Sequence, residues 1–325
     1  MAKNLYRHNT IGASLRQSFI KFMTNLRNFR GAKMAKKNID LTIVVVNFQG
    51  ADWTIKLEKS LRQHFLSQSK YNVELKVVDN GSQDDSVKIL RKHFPTNELE
   101  ALPQNVGFAA ANNHALKQST ARYVMLLNSD TELTPENNFE HLLEFLDQHP
   151  EVAVATPKVV FPTGQLDPAS HRGEPTPWAS FTYFAGLEKL FPKIKMFGRY
   201  HLTYLDLAKP HPIEACSGAA MIVRREALEK VGLLDESFFM YAEDLDWCKR
   251  FRDAGYQIYY LPSAKVIHHK YKSGQGNKDH KVAQQTRHHF YNTMLQYYDK
   301  HYRQQYPNWF RWLITKFVGF KKEQV

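Results

Sequence analysis

The sequence predicts an α/β protein, an open sheet with helices on both faces. Short runs of β-branched and apolar residues alternate with stretches of helical spacing. The connections between them are short, as an open α/β sheet requires. Three of the apolar runs end in Asn or Asp, and such sheets bind ligands at the carboxyl ends of their strands.

Taken in order, Leu41 to Val46 (LTIVVV) is continuous enough to be a parallel strand buried on both faces. Asp52 to Phe65 has helical spacing, Val73 to Val78 is a second strand, and Asp84 to Phe94 and Gly107 to Gln118 read as helices. Tyr123 to Leu127 is expected as a central strand. A helix is expected from Pro135 to His149, with Pro near its first turn, and Val152 to Ala155 as a further strand. Between about 160 and 212 the pattern weakens. Four prolines precede Trp178, Phe181, Tyr183 and Phe184, which suggests a long loop or insert over the crevice. The strand ends supply the polar residues: Asn47 after the first, Asp79, Asn80 and Gly81 after the second, Asn128, Ser129 and Asp130 after the central one. Turns favour these residue types for backbone reasons, so each site alone is weak, and three converging carry the argument.

The net charge of +12 is unevenly distributed. Residues 1–37 carry +9 with no acid, residues 286–325 carry +5, and the body between them is −2. A nucleic-acid enzyme concentrates its cations around its cleft, so no nucleic-acid partner is expected. In the first flank Ile11, Leu15, Phe19, Phe22, Leu26 and Phe29 recur at three or four, with cations on other faces. That is a basic amphipathic helix suited to an anionic membrane surface or to packing on the body. The tail mixes Trp309, Phe310, Trp312, Leu313, Ile314, Phe317 and Phe320 with Arg and Lys, as the headgroup layer favours. The expected organisation is a membrane-surface helix over 1–37, a catalytic domain over 38–270 and a basic aromatic helical extension over 271–325. No apolar run of membrane-spanning length and no secretory signal stand out, and there are only two cysteines. The expectation is a cytoplasmic protein, peripheral on the inner face of the membrane.

One stretch concentrates acids beside apolar residues: FFMYAEDLDWCKR, from Phe238 to Arg250. Glu243 and Asp244 would complement the dipole of a helix N-terminus. A catalytic base at a cleft wall is the other reading, and these residues alone leave both open.

LTIVVVNFQG, KVVDNGSQDDS, NVGFAAANNHAL, YVMLLNSD, CSGAAMIVRREALEKVGLLDESFFMYAEDLDWCKR and AKVIHH occur in an order that resembles glycosyltransferase family 2, in its bacterial rhamnosyltransferase-like branch. The likeness covers roughly residues 40–270. It implies a GT-A fold with an open mixed sheet, a nucleotide-diphosphate sugar donor, Mg²⁺ or Mn²⁺, and inversion at the anomeric carbon. It implies that Asp79 meets the nucleobase, that Asn47 and Asn80 lie near the nucleoside, and that Gly107 lets the backbone approach the donor, supported by Asn105 and Asn112. The family's Asp-x-Asp is Asn128-Ser129-Asp130 here, which leaves Asp130 as the direct metal ligand; capping of the next helix is its alternative. His268 falls where the family places a histidine on the metal or diphosphate, with His269 pointing the other way in an extended segment. Asp244 falls at the catalytic base, with Glu243 orienting the site, Arg250 bridging to an acid one or two turns back, and Trp247 either stacking on an acceptor sugar or joining the core.

The resulting expectation is a membrane-surface transferase with a dTDP- or UDP-sugar donor, dTDP-rhamnose first, and a polysaccharide or lipid-linked oligosaccharide acceptor. A UDP-hexose transferase of the same fold and a non-catalytic membrane- or glycan-binding scaffold are the alternatives. Asp130, Asp244 and His268 together argue against the scaffold.

Overall fold

A computed structural model describes residues 38–270 and 280–323, so the helix expected over 1–37 lies outside the described residues. Strand β1 (Leu41–Asn47) is buried along nearly its whole length. Helix α1 (Ala51–Leu61) follows and ends in a π-helical turn, Arg62–Leu66. Strand β2 (Val73–Asp79), helix α2 (Ser86–His93), the short β3 (Leu99–Ala101), helix α3 (Phe108–Gln118) and strand β4 (Tyr123–Leu127) complete the first half. β1 pairs in parallel with both β2 and β4, and β2 with β3. The continuous apolar character of β1 thus reflects two strand neighbours and helices on both faces.

The second half turns the sheet mixed. After β4 come β5 (Thr131–Leu133), α4 (Phe139–Gln148) and β6 (Val152–Val160). The helix expected from Pro135 begins instead at Phe139. Residues 131–133 pair with a later strand, and Asn138 caps the helix by accepting from the His141 amide at 3.3 Å. Asp130 therefore caps no helix. The segment from 161 to 210 is largely irregular and carries a 3₁₀ turn, Pro168–Ser170, and two short α-helices, α5 (Pro177–Phe184) and α6 (Leu187–Leu190). Then follow β7 (His211–Ile213), β8 (Ala220–Arg224), α7 (Arg225–Val231), α8 (Glu243–Asp253) and β9 (Gln257–His268). The strand order is β3-β2-β1-β4-β8-β6-β9-β5, with β7 on β9. β8 is antiparallel to β4 and β6, and β5 antiparallel to β9.

Two apolar clusters, one on each face of the sheet, form the core. One holds Leu57, Leu61, Leu90, Phe139 and Leu142; the other holds Leu116, Trp247, Phe251 and Tyr260. Helices α9 (His280–His301) and α10 (Asn308–Glu323) complete the described chain. Tyr297, Tyr298 and Tyr302 form a third cluster with Phe238 and Ala242, immediately before α8. Among the described residues no helix is long and apolar enough to cross a membrane.

Candidate active site

The strand ends meet as the sequence suggests, but several of their polar side chains bind one another. Asn47 donates to Asp79 at 2.7 Å and accepts from Thr54 at 2.8 Å. Asp79 is fully buried and also accepts from the Ser82 hydroxyl at 2.7 Å and its amide at 2.9 Å. Asn47 thus orients Asp79, with its amide engaged by protein on both sides. A carboxylate has about four acceptor positions, and three of those on Asp79 are filled.

The neighbouring loop is tied in the same manner. Asn80 Nδ2 donates to Asn105 Oδ1 at 2.9 Å and Asn80 Oδ1 accepts from the Val106 amide at 2.9 Å, and Asn105 Oδ1 also accepts from the Gly107 amide at 2.9 Å. Gly107 has φ +89, and a Cβ there would lie 2.6 Å from the Phe239 carbonyl oxygen. The need for glycine at this position comes from the crossing of the 239 loop and the backbone angle. Asn112 donates to Phe108 O at 2.9 Å, within its own helix.

The second group lies where β4, β5 and β9 meet. The register Thr131↔His268 sets Asp130 beside the end of β9. His268 Nε2 is 3.3 Å from Asp130 Oδ1, and Nδ1 is 2.9 Å from Asp167 Oδ2. All three side chains are buried. Burial alone would lower the imidazole's pKa, but its hydrogen bonds to the two carboxylates outweigh that and push it up to about 9. Asp167, which burial would raise, is held down at about 2 by His268 and by Lys270, 3.1 Å away. His269 turns away to Glu132 at 2.6 Å and packs against Trp53, as strand alternation requires.

These residues fit a divalent cation. Asn128 Oδ1 is buried without a hydrogen-bond partner, two residues from Asp130 on one turn. An unsatisfied buried oxygen is costly, and a cation would satisfy it. Among the described residues no three His, Cys, Asp or Glu side chains form a closed metal cage. The fit is therefore to an ion such as Mg²⁺ or Mn²⁺ that takes few protein ligands and completes its shell with phosphate oxygens.

The acid-rich stretch divides its work. Asp246 accepts from Arg250 at 2.8 Å, Lys300 at 2.6 Å and His301 at 2.8 Å, clamping α8 to α9. Arg250 thus bridges one helical turn back, and it also pins the chain after α7 through Val231 O and Leu233 O. These bonds commit its guanidinium to the scaffold. Of the two readings of Trp247, the structure takes the core. It is fully buried, with Nε1 donating to Gly232 O at 2.9 Å, so it cannot stack on an acceptor sugar.

Glu243 and Asp244 begin α8. Asp244 Oδ2 accepts from Arg172 at 3.0 Å and from the Gly218 amide at 3.3 Å. Glu243 is buried, and its Oε2 has no partner. Burial first, and then the charge of Asp244, push its carboxyl up to about 8, against the pull of Arg172. The pair is aimed by unusual backbone: Tyr241 (φ 71) and Ala242 (φ 64) are successive non-glycine residues in the left-handed region. The two acidic groups share one strut. The Asn128 amide donates to Ala219 O at 3.0 Å, and the preceding residue, Gly218, donates to Asp244.

Sequence reasoning missed Asp167, Arg172 and Glu174, all in the segment with unclear patterning. A general signal was present, since buried acids need counter-charges, but nothing local identified which cation answers Asp244.

The family model for Glycosyl transferase family 2 matches residues 42–232. The chain belongs to that family. It is a glycosyltransferase, and inversion is the general mechanism of the family. An N-acetylglucosaminyl-diphospho-decaprenol L-rhamnosyltransferase of Mycobacterium tuberculosis is 28% identical over 223 residues, 65% of this chain and 71% of that protein. Among solved structures, the mannosyltransferase PcManGT from Pyrobaculum calidifontis in complex with GDP-Man and Mn²⁺ gives a TM-score of 0.50 at 16% identity, covering 95% of this chain and 79% of that one. GalNAc-T7 with UDP, GalNAc and Mn²⁺ gives 0.52 at 15% identity, covering 72% of this chain and 44% of that one. At such identities the likeness concerns the fold, which is GT-A.

Proposed function

We propose that this family 2 transferase moves rhamnose from dTDP-rhamnose to a polysaccharide or lipid-linked oligosaccharide acceptor, at the cytoplasmic face of the membrane. The observation that carries the reading is the common strut. Residues 218–219 tie Asp244 to the Asn128–Asp130 turn, which supports reading a base and an anion-handling group as neighbours. The donor assignment leans on the rhamnosyltransferase relative.

Asp244 accepts the acceptor hydroxyl proton as that oxygen attacks the anomeric carbon. The new C–O bond forms opposite the bond to the diphosphate, which breaks with its electron pair leaving on the diphosphate oxygen, and configuration inverts. Arg172 fixes the carboxylate's orientation from its buried side. Glu243 keeps its proton near neutrality and so adds no second negative charge. Asp130 would hold the divalent cation with the donor phosphates, joined by His268 once its Nε2 gives up its proton, with Asn128 Oδ1 beside them; the bound ion would supply charge neutralisation for the departing diphosphate. The remaining acceptor position on Asp79 is assigned to the nucleobase imide N–H; the side chain is buried in this structure, so donor entry must uncover it.

A panel of dTDP- and UDP-sugars with Mn²⁺ tests this reading, with product configuration read by NMR. Turnover of dTDP-rhamnose with inversion is expected, and preference for a UDP-hexose would overturn the donor assignment. Asp244→Asn should cut turnover by about 10²–10⁴ while donor binding survives. Near-normal turnover in a folded variant would remove Asp244 from the reaction.

A further inference from the structure

The surface formed by α5, α6 and the chain up to 197 carries apolar side chains turned outward. Trp178, Phe181, Leu190, Phe191, Ile194 and Met196 are all exposed, Leu190 at 68%. Lys189, Lys193 and Lys195 lie exposed among them. The one acid of residues 177–197, Glu188, is buried against His201 at 2.6 Å. Outward, this segment offers grease and positive charge.

Helix α10 continues the surface. Its Phe310, Ile314 and Val318, at intervals of four, face the protein, the first two against the tyrosine cluster. Its other face presents Trp309, Trp312, Leu313 and Phe317, with Trp309 63% and Trp312 57% exposed and Lys316 over the Trp312 ring. A helix apolar on two faces has one side left to cover. The two parts join where Phe184 and Phe317 meet with ring centroids 5.0 Å apart.

Resting on the membrane-surface reading above, we propose that this joined face, from α5, α6 and α10, is where the enzyme seats on an anionic bilayer. Tryptophan, phenylalanine and leucine among lysines match the headgroup boundary, where rings enter the acyl edge and ammonium groups meet lipid phosphates. A second copy of the chain is the poorer occupant, because a two-fold contact would bring the same lysines toward themselves. The face is also coupled to the chemistry. Its stem holds Arg172 on Asp244 at 3.0 Å and Glu174 on Arg252 at 2.7 Å, both on α8. Seating would thus hold the base at a fixed height above the lipid carrying the acceptor.

Cys216 and Cys248 are buried, so single cysteines can be labelled selectively in the full chain. An environment-sensitive fluorophore at Ile194→Cys or Leu313→Cys should shift to the blue and brighten with phosphatidylglycerol vesicles, and high salt should reverse this. The same probe at Lys92→Cys, on α2 beside the far edge strand β3, should not respond. Leu190→Ser, Ile194→Ser and Trp312→Ser combined should lower vesicle partitioning at least about tenfold. No probe response at 194 and 313, whether or not the protein sediments with vesicles, overturns the proposal. So does a response that follows protein concentration without lipid, which marks self-association. So does a probe shielded from the start and released by deleting residues 1–37, which marks an intramolecular cover. Failure here leaves donor binding and transfer to a soluble acceptor intact; failure of the transferase reading removes those and leaves vesicle seating.

Discussion

Glu243→Gln isolates one buried carboxyl. Glutamine keeps the shape of the protonated acid and cannot ionise. In the folded wild type the carboxyl is pushed from 4.5 up to about 8 by burial and by Asp244. The unfolded chain releases that proton near the ordinary value, so between the two the native state binds more protons. Stability contributed by this group is complete below about pH 4.5 and is lost as pH rises through about 8. Stability then falls with each unit of that window, so from pH 5 to pH 8 the wild type should lose on the order of 3 kcal/mol relative to the variant. Urea unfolding of both proteins at pH 5, 6.5 and 8 measures it, and titrations not coupled to Glu243 cancel in the difference. A difference that stays level from pH 5 to 8 would refute the claim that Glu243 is held protonated.

Other expectations follow from the same geometry. Asp130→Ala should abolish metal-dependent donor binding, and EDTA should reproduce that loss in the wild type; full donor binding in EDTA would separate Asp130 from any ion. Asp167→Asn, which weakens the grip on His268 Nδ1, should lower Mn²⁺ affinity about 10–100-fold in titration calorimetry with a normal fold by circular dichroism, and an unchanged affinity would make Asp167 a structural partner only. Trp247→Ala should cost about 3–5 kcal/mol of stability, and an intact melting curve with a raised acceptor KM would restore the stacking role that burial denies it.

The parts of the fold that were legible in the sequence are those whose signal is local. Leu41–Asn47 and Tyr123–Leu127 announce themselves because strands buried on both faces need continuous apolar runs. Their terminal Asn and Asp residues then place the crevice. What escaped depends on distant partners. Arg172 lies 72 residues from Asp244, and Asp167 lies 101 from His268, in a segment whose prolines and aromatic residues follow neither period. Pro135 suggested a helix start, but pairing of Thr131–Leu133 with β9 overrode it. Trp247 and Phe251 stand one turn apart on α8 with ring centroids 5.2 Å apart, so helical spacing alone could have assigned the indole to the core.

The left-handed pair at Tyr241 and Ala242 has a further consequence. Each side chain there costs the fold on the order of 1 kcal/mol that glycine would not. The tension is held because Phe238 and Ala242 are gripped by Tyr297 and Tyr298 of α9 and Tyr302 just after it, with Phe310 and Ile314 of α10 packed behind them. Loosening that grip lets the turn relax, and Glu243 and Asp244 swing with it. The C-terminal helices thus work as a spring clip on Glu243 and Asp244. Glycine at 242 would make a calmer protein and a slower enzyme, because the corner would no longer have one preferred way to bend.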